Sequence, residues 1–376
     1  MAQNKVIIVG GGLAGLVSAI HLSKKGVSVV LIEKNTYPKH KVCGEYISNE
    51  VLPYLQSLDF DPFQFQSKKI TDFTMSVSST TTIKTKLPLG GFGISRYTLD
   101  YELAELAKKK GVEIIHDYVN QIKFNNELFT VTTKSNNSYS AAIVIGAYGK
   151  RSNLDITLQR PFIQKKSPFL AVKAHYKGEF PEDKVSLYNF KGGYCGVSKV
   201  ENNHINICYI ASYDVFKRYK NIDDFQVNVL YKNNLLKKIL KHSELMFSKP
   251  LTISQISFAK KKPVESHILL CGDTAGMIHP LCGNGMAMAI HSAKIASELI
   301  VHFFDEKITS RQKLEEAYKQ KWKKTFERRL KMGRRLSVVF QMYFFAEIIT
   351  LGLRIFPWLL PLIIKKTHGK YLKPLQ

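Results

Sequence analysis

The chain has 376 residues, of which 45% are apolar and 11% aromatic, a composition that is typical of globular proteins and excludes a disordered chain. Its length predicts two domains, or one domain with a large insertion. The formal net charge of +25 has two interpretations, a compositional bias without a role or an anionic partner for the most basic part of the surface. The five cysteines are odd in number and lie far apart without a CxxC pair. This spacing argues against a disulfide framework or a metal site and favours a reducing, cytoplasmic setting.

Residues 5–33 have the pattern of a dinucleotide-binding βαβ unit, and nothing before them resembles a signal peptide. A short apolar strand runs into Gly10, Gly12 and Gly15, a helix follows, and a second strand ends at Glu33. These glycines allow a tight turn, close approach of a pyrophosphate, and close packing of helix on strand. The helix start offers free N–H groups to the phosphates, and Glu33 is placed to accept hydrogen bonds from ribose hydroxyls. We therefore predict adenine-dinucleotide binding.

The middle of the chain has the pattern of short β-strands rather than that of a βαβ unit. Residues 171–180, 184–190 and 204–211 are short runs rich in β-branched and aromatic side chains, separated by glycine and charge. They predict an antiparallel sheet inserted between about residues 156 and 262. After this insertion, residues 268–271 read as another buried strand, followed by Gly272-Asp273 and by a glycine-bounded helix start at residues 283–285. Two glycine-helix starts about 270 residues apart fit one large cofactor that lies across both.

The C-terminal part combines a basic block with an apolar segment. Residues 311–335 hold eleven Lys and Arg against three Glu, and residues 336–364 are strongly apolar but interrupted by charges and prolines. No uninterrupted run of about 18 apolar residues occurs, so we do not expect a spanning helix. Residues 311–376 are interpreted either as a helical cap on the core or as an interfacial segment that contacts the inner face of a membrane. No nucleic-acid-binding motif accompanies the charge, so no nucleic acid is expected.

Several of these motifs resemble the flavoprotein family that contains p-hydroxybenzoate hydroxylase and geranylgeranyl reductase. Gly272-Asp273 matches its GD signature, and Arg96 with Asp100 matches a segment near the flavin. The stretch at residues 141–155 looks like its DG motif, with Tyr148 where the family has an aspartate. The resemblance covers roughly residues 1–310 and implies FAD as the cofactor, with NAD(P)H or a reduced electron carrier as the electron donor.

The segment KHKVCGEYIS, residues 39–48, resembles the Lys-x-Cys-Gly-Glu motif of the geranylgeranyl reductase branch, which flavin-dependent halogenases share in part. In that branch the loop lies beside the isoalloxazine, so the resemblance places Cys43 in the wall of the reaction pocket. The chain departs from the branch at Gly196, where reductases have a tryptophan, and at residues 284–286, where they commonly have Glu-Gly-Ile.

The resemblance implies an α/β fold: an FAD-binding Rossmann-like (GR2-type) domain with an inserted antiparallel β-sheet substrate domain and C-terminal helices. We assign residues 1–75, 95–155 and 263–310 to the FAD domain, 76–94 and 156–262 to the substrate domain, and 311–376 to the basic and apolar C-terminal region. The candidate catalytic or pocket residues are Cys43, Glu45, Tyr194 and His279. The candidate cofactor-binding residues are Gly10, Gly12, Leu13, Ala14, Gly15, Glu33, Lys34, Lys41, Gly44, Arg96, Gly149, Asp273, Gly283, Asn284, Gly285 and Met286.

The leading hypothesis for function is an FAD-dependent monooxygenase acting on a hydrophobic or lipid-tailed phenolic substrate. One alternative is reduction of prenyl or polyene double bonds, as the geranylgeranyl reductase branch would do. A second alternative, of a different class, is a non-catalytic flavin-binding accessory protein at the membrane.

Overall fold

The computed structural model describes residues 4–76, 82–165, 167–254, 256–341 and 351–376. The strands are β1 Lys5–Val9, β2 Ser28–Glu33, β3 Tyr46–Ser48, β4 Lys68–Ser76, β5 Thr82–Gly93, β6 Glu113–His116, β7 Val119–Asn125, β8 Leu128–Thr133, β9 Ser138–Ala141, β10 Ile143–Gly146, β11 Phe169–Lys177, β12 Lys184–Phe190, β13 Gly193–Lys199, β14 Ile205–Ser212, β15 Glu244–Leu245, β16 Leu251–Ile253, β17 Val264–Glu265 and β18 Ile268–Leu270. The helices are α1 Leu13–Lys24, α2 Leu52–Ser57, α3 Arg96–Lys109, α4 Asn153–Thr157, α5 Tyr213–Phe216, α6 Ile222–Asn228, α7 Asn234–Lys241, α8 Gly285–Phe304, α9 Arg311–Gln341 and α10 Leu359–Thr367. Residues 351–355 are also helical.

A six-stranded sheet in the order β17-β18-β10-β1-β2-β6 forms the centre of the FAD-binding half. All of its pairings are parallel except that of β17 with β18. The four central strands are almost wholly buried, which explains why they read as continuous apolar runs rather than alternating ones. In such a sheet, ligands bind at the carboxyl ends of the strands. Here those ends lead into Gly10, Glu33, Ala147 and Cys271.

The second sheet has nine strands in the order β15-β11-β14-β13-β12-β4-β5-β3, with β16 added beside β11. Its pairings are antiparallel except that of β12 with β4. The predicted α/β fold with an inserted antiparallel sheet is confirmed. This sheet begins earlier in the chain than the segment 76–94 that we assigned to it, because β3 lies before that segment, β4 ends at residue 76, and both strands pair within the sheet. A separate meander of β7, β8 and β9 lies on the FAD side.

The long basic helix α9 is packed on the FAD-binding half rather than standing free. Its apolar side chains Leu314, Tyr318, Trp322 and Phe326 are buried in the same core as the parallel sheet. The Tyr318 hydroxyl donates to the carbonyl oxygen of Leu270 at 2.6 Å, at the end of β18. Within the described ranges, no helix is both long and apolar enough to cross a membrane.

Candidate functional site

The first glycine-rich turn has the geometry that phosphate binding requires. Gly10 has a φ of +105°, and a Cβ there would lie 2.5 Å from the carbonyl oxygen of Ala147, so only glycine fits. At Gly15 a Cβ would collide with the carbonyl oxygen of Gly10, which shows how closely α1 packs on the turn. Gly12 differs, because a Cβ there would meet nothing nearer than Arg96 Nη2 at 3.7 Å. Gly12 therefore leaves space at the start of α1.

Glu33 is fixed at the end of β2 by backbone and side-chain donors. Its Oε2 accepts from the Gly11 N–H at 2.6 Å, and its Oε1 accepts from the backbone and side-chain amides of Asn35. The hydroxyl of Tyr37 donates to the carbonyl oxygen of Gly11 at 2.6 Å. The acid predicted to bind ribose is thus buried, oriented and adjacent to the glycine turn, and a carboxylate retains lone pairs for further donors.

One buried carboxylate holds two cations beside Gly12. Asp100 accepts a bidentate pair of hydrogen bonds from Arg96 at 2.7 Å and a third from Lys41 Nζ at 2.8 Å. Burial alone would raise the pKa of Asp100, but the charges of Arg96 and Lys41 hold it below its usual range. Two cations against one anion leave an excess positive charge next to the open space at Gly12, which suits a pyrophosphate.

The second glycine-rich region joins two loops at the other side of the same space. Thr274, in the loop after β18, accepts from the Gly149 N–H at 2.8 Å and donates to the Gly149 carbonyl oxygen, so the two cofactor motifs are tied together. Gly283 has a φ of +61° and turns the chain into α8. Asn284, the residue before α8, does not cap this helix with its side chain. Its side-chain amide donates to Glu50 Oε1 at 3.4 Å. The first N–H groups of α8 therefore stay available for a ligand.

Both glycine-bounded helix starts open onto one cavity of about 810 Å³. Neither α1 nor α8 has a side-chain cap or an acidic residue in its first turn among the described residues. A cofactor with a pyrophosphate at one end and a ring that accepts negative charge at the other would satisfy both helix starts. These residues fit FAD. Gly12, Glu33, Lys41 and Arg96 would hold its dinucleotide part, and the start of α8 would face the flavin ring.

The loop of the Cys-Gly-Glu motif is anchored from the second sheet. Glu45 has a φ of +53°, is fully buried, and accepts from the Arg96 N–H, from Lys173 Nζ at 3.0 Å and from His175 at 2.7 Å. Burial alone would raise the pKa of Glu45, but the hydrogen bond of His175 and the charge of Lys173 hold it below its usual range. With both oxygens engaged, Glu45 is better suited to positioning the loop than to moving a proton.

Cys43 lines the cavity between this loop and α8. Its Sγ lies 3.5 Å from the sulfur of Met286, in the first turn of α8, and its carbonyl oxygen accepts from the side-chain amide of Asn206. A Cβ at Gly44 would have no neighbour within 4 Å, so the backbone there is open to the cavity. Cys43 and Gly44 thus face the space where the flavin ring fits. This is the wall position that the resemblance implied.

Beyond the loop, the cavity continues into an apolar region. Tyr194 lines it and packs beside Val42 and Leu281, from the two loops that border the flavin end. Its hydroxyl is buried and has no hydrogen-bond partner among the described residues, and burial raises its pKa well above the usual range. The cavity then reaches side chains of the second sheet and of the C-terminal helices, including Met75, Leu187, Leu353, Leu360 and Ile364.

Four predicted residues lie outside the cavity lining. Gly10 and Gly15 shape the turn behind it, and Asn284 is directed at Glu50. His279, a candidate for the pocket, packs against Tyr194 and Phe258 instead of lining the cavity. Burial lowers the pKa of His279 to about 4, so it is neutral near pH 7. This surrounding favours a packing role over proton relay.

The remaining predicted residues do line the cavity: Gly12, Leu13, Ala14, Glu33, Lys34, Lys41, Cys43, Gly44, Glu45, Arg96, Gly149, Tyr194, Asp273, Gly283, Gly285 and Met286. The sequence reasoning missed Lys173, His175 and Asn206, which hold the Cys-Gly-Glu loop. A signal existed for two of them. Lys173 and His175 are two residues apart within the mainly apolar strand β11, which places both on one face of it.

Comparisons with known proteins agree with this geometry. The chain is 25% identical over 370 residues to conditioned medium factor receptor 1 of Dictyostelium discoideum, covering 89% of this chain and 70% of that protein. It is 24% identical over 343 residues to digeranylgeranylglycerophospholipid reductase of Methanosarcina acetivorans, covering 85% and 80%. A triple mutant of the flavin-dependent brominase Bmp2 shares the fold, with a TM-score of 0.79 at 17% identity over 97% of this chain and 95% of that one.

The family model described as "FAD binding domain" matches residues 3–328, which include both glycine-bounded helix starts and the whole inserted sheet. The chain is an FAD-dependent oxidoreductase that belongs to the FAD binding domain family.

Proposed function

We propose that the protein is a monooxygenase that hydroxylates a phenolic ring carrying a long apolar tail. The observation that carries this proposal is the Tyr194 hydroxyl, which is buried at the flavin end of an otherwise apolar region without a partner among the described residues. Leaving a buried hydroxyl unpaired costs about 1–3 kcal/mol, so its retention at this position favours a ligand that brings a polar atom to it. A phenolic oxygen is such an atom.

The chain contributes binding, orientation and charge. When bound and reduced, FAD supplies the electrons that activate dioxygen. One oxygen atom enters the ring, the other leaves as water, and the two electrons come from NAD(P)H or a reduced electron carrier. The N–H groups at the start of α8 stabilise negative charge on the ring system, and the apolar walls exclude water. Tyr194, which stays protonated because of its raised pKa, would donate to the phenolic oxygen and fix the ring.

Reduction of prenyl or polyene double bonds is the second candidate. It is favoured by Cys43, which lines the cavity beside Met286, and by the similarity to a digeranylgeranylglycerophospholipid reductase. The apolar region would accept a polyprenyl chain as readily as an alkyl tail. A double bond in such a chain offers no polar atom to Tyr194, and for this reason we place the reductase second.

A single experiment separates the two. The FAD-loaded protein is reduced with dithionite and mixed either with an alkylresorcinol under isotopically labelled dioxygen or with a polyprenyl substrate under argon. Our proposal predicts a product of the alkylresorcinol that carries one labelled oxygen atom. A saturated polyprenyl product without any hydroxylated phenol would assign the reductase function instead. A bound flavin that neither a nicotinamide nor a substrate-linked donor reduces would indicate the non-catalytic accessory protein.

A further inference from the structure

The C-terminal segment from residue 351 presents an apolar face to solvent. Ile355 is 63% exposed and Trp358 is 61% exposed, and Leu351, Phe356 and Leu362 beside them are exposed as well. Residues 351–355 are helical and α10 begins at Leu359, so Ile355 and Trp358 flank the break between these two helical stretches. Contiguous large apolar side chains on a surface mark an interaction site. We call these five residues the outer face.

The opposite side of the same segment is also apolar and forms the wall of the cavity. Leu353 and Leu360 are buried against Met75 and Ile83 of the second sheet, with Ile363 and Ile364 packed beside them. All four of these leucine and isoleucine side chains of the segment line the cavity. A surface helix of a soluble protein normally has one apolar face and one polar face. This segment therefore separates the apolar interior of the cavity from an apolar exterior.

The charged side chains of residues 351–376 all have one sign. Residues 351–376 contain Arg354, Lys365, Lys366, Lys370 and Lys373 and no aspartate or glutamate. All five cations are exposed, and none forms an ion pair within the described part of the chain. Exposed tryptophan and aliphatic side chains flanked by lysine and arginine are the combination that binds an anionic lipid surface. A bilayer is favoured over a protein partner because the apolar and basic groups together match headgroup and acyl regions.

The segment is held firmly against the FAD-binding half. The buried carboxylate of Glu50 accepts from Arg329 of α9 at 3.2 Å and from the Gly369 N–H, and the Glu50 carbonyl oxygen accepts from the Leu372 N–H at 2.7 Å. The Leu375 N–H donates to Ser57 Oγ at 2.7 Å. These contacts hold residues 369–375, and the packing of Leu353 and Leu360 on the second sheet holds the part of the segment that carries the outer face.

We propose that the outer face docks on an anionic phospholipid bilayer and that the cavity takes the apolar tail of its substrate from that bilayer through the wall formed by Leu353, Leu360, Ile363 and Ile364. The second half of this proposal rests on the proposed function, since it assumes a substrate with an apolar tail. The first half is independent of catalysis and is tested separately.

Tryptophan fluorescence tests the docking directly, because the chain has two tryptophans in different surroundings. Trp322 is buried, with 7% exposure, whereas Trp358 lies on the outer face. In a Trp322→Phe variant of the FAD-loaded protein, emission from Trp358 should shift to shorter wavelength with vesicles of phosphatidylcholine and phosphatidylglycerol. The shift should be weaker with phosphatidylcholine alone, because the five cations need anionic headgroups. An emission spectrum that neither vesicle changes would overturn the docking.

A matched pair of charge substitutions locates the surface. Ile355→Glu places a carboxylate on the outer face, and Ile156→Glu places one at a similarly exposed isoleucine, 56% exposed, on α4. Co-sedimentation with the mixed vesicles should fall about tenfold or more for Ile355→Glu and stay unchanged for Ile156→Glu. Equal binding by both variants would refute this surface. A dimer in sedimentation velocity that Ile355→Glu dissociates would assign the outer face to a second copy of the chain instead.

Entry from the bilayer is tested with two phenols. Ile355→Glu should lower turnover of an alkylresorcinol embedded in the mixed vesicles and leave turnover of a short-chain, water-soluble resorcinol unchanged, because Ile355 does not line the cavity. Equal loss with both phenols would contradict entry through this wall. If wild-type protein hydroxylates neither phenol, the proposed function fails, while the vesicle measurements still decide the docking.

Discussion

The two ends of the cavity are built in different ways. The dinucleotide end consists of backbone N–H groups and fixed charges that belong largely to short motifs, such as the turn at Gly12 and the Arg96–Asp100 pair four residues apart. Lys41 is the exception, since it reaches Asp100 from 59 residues away. The apolar end is assembled from single side chains of the second sheet and of the C-terminal helices, which are far apart in the chain. The comparison teaches that the polar end is built mainly from short motifs, whereas the apolar end depends on packing between distant parts of the chain. The predictions below test that difference.

The largest expected effect concerns the anchor between the two ends. Glu45→Ala would leave Lys173 buried beside an empty position, since Lys173 is fully buried and pairs with Glu45 at 3.0 Å. Breaking one side of a buried ion pair costs about 3–5 kcal/mol, so the free energy of unfolding in urea should fall by about that amount. The double variant Glu45→Ala with Lys173→Met should recover much of the loss. A single variant within about 1 kcal/mol of wild type would contradict the anchoring role.

The next effect tests the dinucleotide end alone. Gly12→Val adds a branched side chain where the structure leaves open space, so FAD affinity should fall at least about a hundredfold while the fold is retained. Gly352→Ala, at a glycine whose Cβ would meet none of the described residues within 4 Å, is the matched control and should bind FAD normally. Flavin fluorescence titration of the apoprotein measures both. If Gly12→Val binds FAD with wild-type affinity, the pyrophosphate does not bind at the start of α1.

The free energy of unfolding should decrease at acid pH because of two buried carboxylates, Asp100 at the dinucleotide end and Glu45 between the two ends. The pKa values of Asp100 and Glu45 lie below their usual range in the folded protein, so the unfolded chain binds more protons as the solution becomes acidic. The stability that these carboxylates provide is present above their ordinary pKa of about 4 and is lost as the pH falls through and below that value. Urea midpoints measured downward from pH 7 should show this loss. In Asp100→Asn the urea midpoint should fall less steeply with decreasing pH. An unchanged pH dependence would argue that the ion pairs of Asp100 with Arg96 and Lys41 do not stabilise the fold.

The smallest effect belongs to the apolar end. Tyr194→Phe removes only the unpaired hydroxyl, so KM for an alkylresorcinol should rise about fivefold to tenfold through loss of one hydrogen bond. FAD affinity should not change, because Tyr194 faces the substrate region. Tyr219→Phe, at a tyrosine outside the cavity lining, is the control. Unchanged KM in Tyr194→Phe, measured by initial rates, would separate this hydroxyl from the substrate.

The sequence predicts the dinucleotide end well because its physics is local. A glycine turn, a helix start and a terminal acid follow each other within about thirty residues, and the structure brings Gly12, Glu33 and Arg96 to one space as expected. The helix start after the GD motif was also predictable from the sequence. Gly283 and Gly285 lie at the start of α8 and line the same cavity. The sequence did not predict which distant residues contact each motif. The contact of Glu45 with Lys173 and His175 of β11 is an example.

The apolar end was harder to predict because apolar contacts are not directional, so the sequence does not show which apolar side chains pack together. Leu353 and Leu360 read as part of an apolar C-terminal segment, but only packing shows that one side of it closes the cavity. His279 was plausible as a pocket residue from its place before the α8 loop, yet its ring turns toward Phe258. The resemblance gave the domain division with a boundary at residue 76, whereas strand pairing places β3 and β4 in the second sheet.

The central claim is that one cavity holds FAD at its polar end and the apolar tail of a phenol at the other. A crystal structure of the protein with FAD and an alkylresorcinol tests it most directly. The account predicts the pyrophosphate at Gly12, the flavin ring between Cys43 and the start of α8, the phenolic oxygen at Tyr194, and the alkyl tail against Leu353 and Leu360. A tail that leaves the cavity elsewhere, or a phenol bound away from Tyr194, would contradict the account.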